Sequence, residues 1–144
     1  MHQPWASLVA LGAKRVETRS WTAPADLVGQ RIAIHANKTK EGLKLCEREP
    51  FSDYVPDRED LPLGAIVCTA VLDRCAEITE KSAGELERAH PDEFSFGDYT
   101  PGRFAWVFRD VERLDEPVEF KAHQGINEID DALLGIETPQ EALL

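Results

Sequence analysis

The residues with the clearest capacity for chemistry lie close together near the start of the chain. Lys14, Glu17 and Arg19 belong to the run Gly-Ala-Lys-Arg-Val-Glu-Thr-Arg, which begins at Gly12. An ammonium or a guanidinium donates hydrogen bonds to phosphates and base acceptors, while a carboxylate accepts from an amino group or orients the guanidinium. A lysine desolvated beside Arg19 would also have a lowered pKa, and Glu17 would then handle protons or position water. The run predicts a functional site, with Lys14 and Glu17 as its candidate catalytic residues.

The same run contains an alternation that is typical of a strand. Residues 16–21 place Glu17, Arg19 and Trp21 on one face of an extended chain. Exposed strands often alternate Glu and Arg for solubility alone, and that interpretation stays open. An aromatic ring beside paired charges is more typical of a ligand pocket or of a desolvated ion pair. Arg19 and Trp21 are therefore candidate ligand-binding residues.

A second group of aromatic residues lies in a segment rich in turns. Phe104, Trp106 and Phe108 alternate, which predicts that they belong to the core. Tyr99 precedes them in a loop, where periodicity does not explain an aromatic side chain. We expect it either to form a stacking surface for a planar ligand or to be structural. Gln124, which a glycine follows, is a candidate for hydrogen bonding to a base edge.

Short helices and strands must position these residues. The patterning predicts a helix over 4–11, strands over 16–21, 31–36 and 64–75, helical character over 39–48, a helix that starts in a capping box at Ser82 and ends before Pro91, and strands over 104–108 and 118–121. Residues 49–63 contain three prolines and five acidic residues and are predicted to form an exposed loop.

Length and composition narrow the class of protein. The 144 residues, 42% of them hydrophobic, suit a single globular domain. About five short strands at irregular spacing do not fit βαβ units, so we expect an α+β fold with a small mixed barrel and helices on its outside or ends. No apolar run approaches the roughly 20 residues that cross a bilayer, and no membrane partner is expected.

The charge of the chain is unevenly distributed. The formal net charge is −11, which argues against binding to extended duplex DNA through the phosphate backbone. Residues 1–40, however, contain six basic and two acidic residues, whereas residues 41–144 contain ten and twenty-five. The sequence therefore predicts a local basic cleft on an acidic body, which suits one nucleotide or a short strand.

Cysteine and histidine usage bears on location and on metals. Three cysteines without a Cys-x-x-Cys pair favour a reducing cytoplasm, and the four histidines stand at no spacing typical of zinc sites. We therefore expect no structural metal and no cofactor. His35 lies opposite Ile32 and Ile34 on its predicted strand. It is a candidate cleft residue, with a satisfied barrel histidine as the alternative.

Several motifs follow one another along most of the chain. They are Gln3-Pro4-Trp5-Ala6-Ser7, Gly12-x-Lys14-x-x-Glu17-x-Arg19, Ile34-His35-Ala36, Phe96-Gly97-Asp98-Tyr99, Gly102-Arg103-x-Ala105-Trp106 and Gln124-Gly125. In this order they resemble the ASCH domain family, the activating signal cointegrator homology family of the PUA-like superfamily. The resemblance implies a PUA-like β-barrel of about five or six strands with flanking short helices.

The resemblance also suggests boundaries. It implies an ASCH domain over residues 1–130, with residues 131–144 as an acidic C-terminal extension of the same domain. Two features depart from the family pattern. Only Met1 and His2 precede Gln3, where family members usually have a short apolar strand, and Asn127 stands where a tryptophan often follows Gln-Gly.

The resemblance further implies a cleft that accepts RNA or a nucleotide. The cleft would lie beside the Gly-x-Lys-x-x-Glu-x-Arg residues, and the motif residues Trp5 and Arg103 are expected to contribute to it. Under this interpretation the protein binds RNA, a nucleotide or a modified nucleoside. Single-stranded or modified bases suit such a pocket better than a duplex.

Two alternatives to a binding module stay open. Small amidohydrolases of the same superfamily remove the acetyl group from N4-acetylcytidine. The chain resembles these enzymes because Lys14 stands where they have their working lysine. In those enzymes a threonine follows the lysine three positions later, where this chain has Glu17. A metal-independent hydrolase, acting on an acylated nucleoside or in the manner of a ribonuclease, is therefore the second hypothesis. The third is a protein-partner role for the acidic surface.

Overall fold

The structure is a computed structural model that describes residues 1–122 and the backbone of residues 142–143. The predicted C-terminal extension is outside this range except for those two positions. Gln124 and Asn127 also lie outside the described residues. No helix in the described part of the chain is long and apolar enough to cross a membrane.

A curled sheet is the centre of the fold. Its strands in chain order are β1 Val16–Arg19, β2 Arg31–Ala36, β3 Ala65–Glu77, β4 Phe104–Glu119 and β5 Ala142–Leu143. In space the order is β1-β4-β3-β2-β5. The first four strands pair antiparallel, and β5 pairs parallel with β2. Together with the helices, this confirms the predicted α+β class.

Bulges bend β3 and β4 around each other. Where Thr69 pairs with Glu112 and Val71 with Arg109, β4 carries one residue more than β3. Asp110 lies in this bulge with a φ of +50°, a left-handed conformation that Asp tolerates better than most residues. Within the described residues β1 pairs only with β4, so the sheet is open at that edge. Closure into a five- or six-stranded barrel stays a prediction.

The two strands expected over 104–108 and 118–121 are one long strand, β4. The alternation of apolar residues that predicted the first strand stops after Phe108. The residues that follow are mostly charged and exposed, so the sequence did not show that the strand continues. Its backbone nevertheless pairs with β3 throughout. Charged side chains on an unpaired edge also discourage pairing with another chain. The predicted strand over 64–75 is confirmed, and β3 continues to Glu77.

The described residues include three α-helices: α1 Trp5–Ala10, α2 Glu80–Ala89 and α3 Pro91–Phe96. The predicted capping box at Ser82 was placed one turn too late. Thr79 is the N-cap of α2, because its hydroxyl accepts from the Ser82 amide while the Ser82 hydroxyl accepts from the Thr79 amide. The helix ends before Pro91, as predicted. Helix α3 was not predicted from the sequence.

Three hydrophobic clusters form the core of the described residues, and the smallest is built on Ala33 and Ile66. The main cluster joins α1 to the sheet and contains the predicted core residues Trp106 and Phe108, with Phe104 partly buried against it. The second cluster consists of Leu8, Cys46, Phe51, Val55 and Phe96. The predicted exposed loop over 49–63 is therefore wrong in part, because two of its apolar side chains are buried. The helical character over 39–48 is a 3-10 helix, Glu41–Glu47.

Gln3 fixes the start of α1 to the rest of the fold. Its buried side-chain oxygen accepts from the Ser7 amide at 3.0 Å, and its nitrogen donates to the Ser7 hydroxyl and to the Pro62 carbonyl, both at 2.8 Å. Gly42 packs directly against this turn. A Cβ there would lie 2.2 Å from the Gln3 carbonyl oxygen and 2.9 Å from the Trp5 ring.

This close approach yields a test of the packing. Gly42→Ala is expected to lower the free energy of unfolding by about 3 kcal/mol, because backbone must move to admit the methyl group. The control is Gly84→Ala in the middle of α2, where the nearest atom is the movable end of Arg88. The control should raise stability by about 0.5–1 kcal/mol. Urea unfolding measures both, and equal effects would contradict the packing.

Candidate ligand site

The turn after α1 directs Lys14 into the protein. Leu11 caps the helix and Gly12 follows it with a φ of +79°, the left-handed conformation that commonly ends helices. The amides of Ala13 and Lys14 then both donate to the Leu8 carbonyl, at 3.0 and 3.1 Å. The chain reverses tightly, and the Lys14 side chain is fully buried.

The Lys14 ammonium has few partners for a buried charge. It donates a short hydrogen bond to the Val16 carbonyl, and it lies 4.0 Å from Oε2 of Glu93. Burial lowers the pKa of Lys14, whereas the carboxylates of Glu17 and Glu93 raise it. Desolvation is the larger effect, so the amine loses its proton more readily than an exposed lysine does.

Strand β1 carries Glu17 and Arg19, but it ends at Arg19, so the predicted strand over 16–21 is two residues too long and Trp21 lies beyond it. Nη2 of Arg19 lies 3.3 Å from Oε2 of Glu17, and the Arg19 guanidinium carbon lies 5.8 Å from the centre of the Trp21 ring. Trp21 packs edge-on against Trp106 with a centroid distance of 4.7 Å, while 36% of its surface stays exposed. Glu17, Arg19 and Trp21 therefore share one face and form the accessible rim of the site.

Glu93 completes the site, and sequence reasoning missed it. It lies in the first turn of α3, and its Oε1 accepts the Arg15 amide at 2.6 Å. Burial raises its pKa, while the Lys14 ammonium and hydrogen bonds from the Arg15 and Val16 amides lower it. The run Pro91-Asp92-Glu93 is a helix-start signal that would have found α3. Nothing local in the sequence pairs residue 93 with residue 14.

Tyr99 is the aromatic residue of the candidate site. Its ring stacks on Phe94 with a centroid distance of 5.6 Å and packs over Gly97, where a Cβ would lie only 2.8 Å from the ring. Burial raises the pKa of its hydroxyl, and the negative charges of Glu93 and Glu17 raise that pKa further. An open cleft of about 560 Å³ lies between α2 and the loop that carries Tyr99. Phe94 and Tyr99 line this cleft, whereas Lys14, Glu17, Arg19 and Glu93 do not.

The three buried side-chain polar atoms without a hydrogen-bond partner in the described residues all belong to this site. They are Nε of Arg19, Oε2 of Glu93 and the hydroxyl oxygen of Tyr99. Buried polar groups are almost always paired in native proteins, and unpaired ones concentrate at functional sites. We call Lys14, Glu17, Arg19, Glu93 and Tyr99 the Lys14 cluster.

The Lys14 cluster is not basic. Its two cations, Lys14 and Arg19, are balanced by two carboxylates, Glu17 and Glu93. The positive excess in the first part of the sequence therefore does not produce an excess of positive charge in the cluster itself. Such a site presents hydrogen-bond donors and acceptors together rather than a surface of cations alone.

The other predicted site residues have different surroundings. Trp5 donates from its ring nitrogen to the Phe96 carbonyl and packs against Phe51. His35 is buried, with Nε2 2.7 Å from the Phe120 carbonyl, and burial lowers its pKa. Arg103 donates to the Asp98 and Thr18 carbonyls at 3.1 and 3.3 Å. The polar atoms of all three residues are thus engaged in holding the fold, and Gln124 is outside the described residues.

Comparison with known proteins identifies the family. The model of the ASCH domain matches residues 1–119, most of the chain. The chain belongs to the ASCH domain family. Comparison with curated proteins finds no match. In the described part of this ASCH domain, no group of three or more His, Cys, Asp and Glu residues is placed to hold a metal ion.

The burial of Lys14 and Glu93 side by side predicts how substitutions change the free energy of unfolding. Removing one partner leaves the other charge buried, whereas removing both also removes the desolvation cost. We expect Lys14→Met and Glu93→Gln each to cost about 2 kcal/mol. The double variant should cost about 2 kcal/mol less than their sum.

Denaturant unfolding of the four proteins measures this coupling. The control is the exposed pair of Arg58 and Glu47, 3.9 Å apart, with the same types of substitution. Its coupling should stay below about 0.5 kcal/mol. Additive costs for Lys14 and Glu93 would contradict a coupled buried pair.

Proposed function

We propose that the Lys14 cluster binds the base of a nucleoside, a nucleotide or a short single-stranded RNA. The proposal rests on the buried Lys14 ammonium, which lies 4.0 Å from Oε2 of Glu93, and on three unpartnered buried polar atoms carried by Arg19, Glu93 and Tyr99. They comprise a guanidinium donor, a carboxylate acceptor and a phenol that does either. A base edge, which alternates donors and acceptors in a plane, complements such a set.

The rim of the site supports the same proposal. Trp21 is partly exposed beside Arg19, and an aromatic ring with an adjacent guanidinium offers a stacking surface to a base. Arg19 is 28% exposed and is the cation of the cluster that a ligand reaches first. Membership of the ASCH family, whose resemblance implies a cleft for RNA or a nucleotide, points the same way.

Charge sets the size of the ligand. The body of the protein is acidic, because residues 41–144 contain twenty-five acidic and ten basic residues. A long polyanion is repelled outside the immediate site, so duplex DNA and extended RNA are disfavoured. Since the cluster is itself balanced, affinity for a nucleoside should depend only weakly on salt.

Arg19→Ala tests the binding proposal. We expect it to weaken binding of a short fluorescent RNA by about tenfold, which corresponds to one charge-assisted hydrogen bond of roughly 1.4 kcal/mol. The matched control is Arg58→Ala, another arginine paired with a glutamate but in a surface turn. Fluorescence anisotropy at two salt concentrations measures both. Equal loss in the two variants, or no binding by the wild-type protein, would sink the proposal.

A hydrolase is the second candidate, and the Lys14–Glu93 pair favours it. Burial shifts the pKa of the amine down and that of the carboxyl up, so their proton affinities approach each other. Such a pair suits metal-independent proton transfer, as amide or phosphodiester hydrolysis requires. The substrate would be an acylated nucleoside, such as N4-acetylcytidine, or RNA.

Mass spectrometry distinguishes the binder from the enzyme. If the cluster is catalytic, the wild-type protein converts N4-acetylcytidine to cytidine and acetate, or shortens a single-stranded RNA. Lys14→Met should then lower the rate at least 100-fold, because it removes the amine while filling its space. Nucleoside binding without turnover of either substrate would refute the hydrolase and leave the binding proposal intact.

A further inference from the structure

We propose that the open cleft beside α2 binds an arginine side chain of a basic protein partner. This α2 cleft has a volume of about 560 Å³, and its lining includes Glu80, Glu87, Phe94 and Tyr99. Such a volume is within the range of sites that hold small ligands. Of the Lys14 cluster only Tyr99 lines it, so this is a second site and is independent of nucleoside binding.

Helix α2 gives the cleft an acidic wall. Four of its residues line the cleft at the spacing that places side chains on one face of a helix: Glu80, Ala83, Gly84 and Glu87. The two in the middle are small, which leaves room between the glutamates. Both glutamates are exposed, and neither forms an ion pair within the described residues, although Nη1 of Arg88 would lie 3.4 Å from a Cβ on Gly84. Their negative charges are therefore available to a cationic ligand.

Phe94 and Tyr99 add an aromatic wall. Their rings stack with a centroid distance of 5.6 Å and an interplanar angle of 19°, and Phe94 is partly exposed. The face of an aromatic ring attracts a cation, and a planar guanidinium stacks on it while its N–H groups reach carboxylates. Tyr99 is a separate sign of a ligand, because only 7% of it is exposed and its hydroxyl has no hydrogen-bond partner in the described residues. Aromatic faces beside unpaired carboxylates favour an arginine over a lysine.

Strand β1 holds the loop side of the cleft in place. Oγ1 of Thr18 accepts the Asp98 amide at 3.2 Å, and Arg103 donates to the Asp98 and Thr18 carbonyls. The Asp98 carboxylate is already engaged, because it accepts from the amide and the hydroxyl of Thr100. The cleft is therefore formed before a ligand arrives, which lowers the entropic cost of binding.

The charges around the cleft select a protein segment as the source of the arginine. A nucleic acid is disfavoured because Glu80 and Glu87 repel its phosphates. Free arginine carries a carboxylate of its own, which the same residues repel, whereas within a peptide that carboxylate is an uncharged amide. Residues 41–144, with twenty-five acidic and ten basic residues, attract a basic segment and speed its association.

Synthetic peptides test the proposal by fluorescence anisotropy at physiological ionic strength. The probes are three short labelled peptides that differ at one central residue, which is arginine, lysine or citrulline, the uncharged analogue of arginine. The full chain should bind the arginine peptide about tenfold more tightly than the citrulline peptide and about threefold more tightly than the lysine peptide. Free arginine should displace the labelled peptide about tenfold less effectively than the unlabelled peptide does.

Glu87→Gln and Glu85→Gln form a matched pair of variants on α2. Both remove the charge of an exposed glutamate, but only Glu87 lines the cleft. Glu87→Gln should weaken binding of the arginine peptide about fivefold, whereas the control should change it less than about twofold. Phe94→Leu should remove the preference for arginine over lysine, because leucine is apolar but has no ring face.

Equal affinity for the arginine and citrulline peptides would overturn the proposal. Equal effects of Glu87→Gln and Glu85→Gln would also overturn it, since binding would then depend on the overall charge of the protein. Displacement by free arginine as effective as displacement by the peptide would refute a protein partner. An unchanged preference for arginine in folded Phe94→Leu would refute the aromatic wall. If that variant does not fold, the peptide comparison and the two glutamine variants decide without it.

Discussion

Burial of the Lys14 ammonium is the constraint on which the rest of the site depends. An isolated charge removed from water costs several kcal/mol, so the fold must supply compensating groups around it. The Val16 carbonyl, Glu17 and Glu93 do so from two separate parts of the chain. The tight turn at Gly12 sends the lysine inward, and α3 brings the second carboxylate to it.

The same compensation leaves several polar groups of the site unsatisfied in the described chain. Lys14 and Glu93 offset each other's charge only in part, and three polar atoms around them lack partners within the described protein. A core designed for stability alone would use apolar side chains here, because a partly satisfied polar network is less stable than an apolar core. Retaining the network is understandable if a ligand supplies the missing hydrogen bonds.

Sequence reasoning found what depends on local pattern. The strand face of Glu17, Arg19 and Trp21 follows from alternation, and the core positions of Trp106 and Phe108 follow from the same rule. The family motifs also identified the fold class. These features need only the neighbouring residues for their interpretation, which is why one sequence was sufficient.

Features that depend on distant contacts were missed. Glu93 enters the site because α3 packs beside β1, and no spacing in the sequence records that contact. Trp5, His35 and Lys14 all belong to the family motifs. Motif membership therefore did not show that Trp5 and His35 form hydrogen bonds that hold the fold, whereas Lys14 belongs to the candidate site. The uneven charge of the sequence predicted a basic cleft for a related reason. It could not show that Glu93, from the acidic part of the chain, lies beside Lys14 from the basic part.

The most direct measurement is a crystal structure of the protein with cytidine bound. The interpretation predicts that the base lies within the Lys14 cluster and forms hydrogen bonds with at least one of its unpartnered polar atoms. Cytidine bound elsewhere, with the three polar atoms of the cluster still unpartnered, would contradict it.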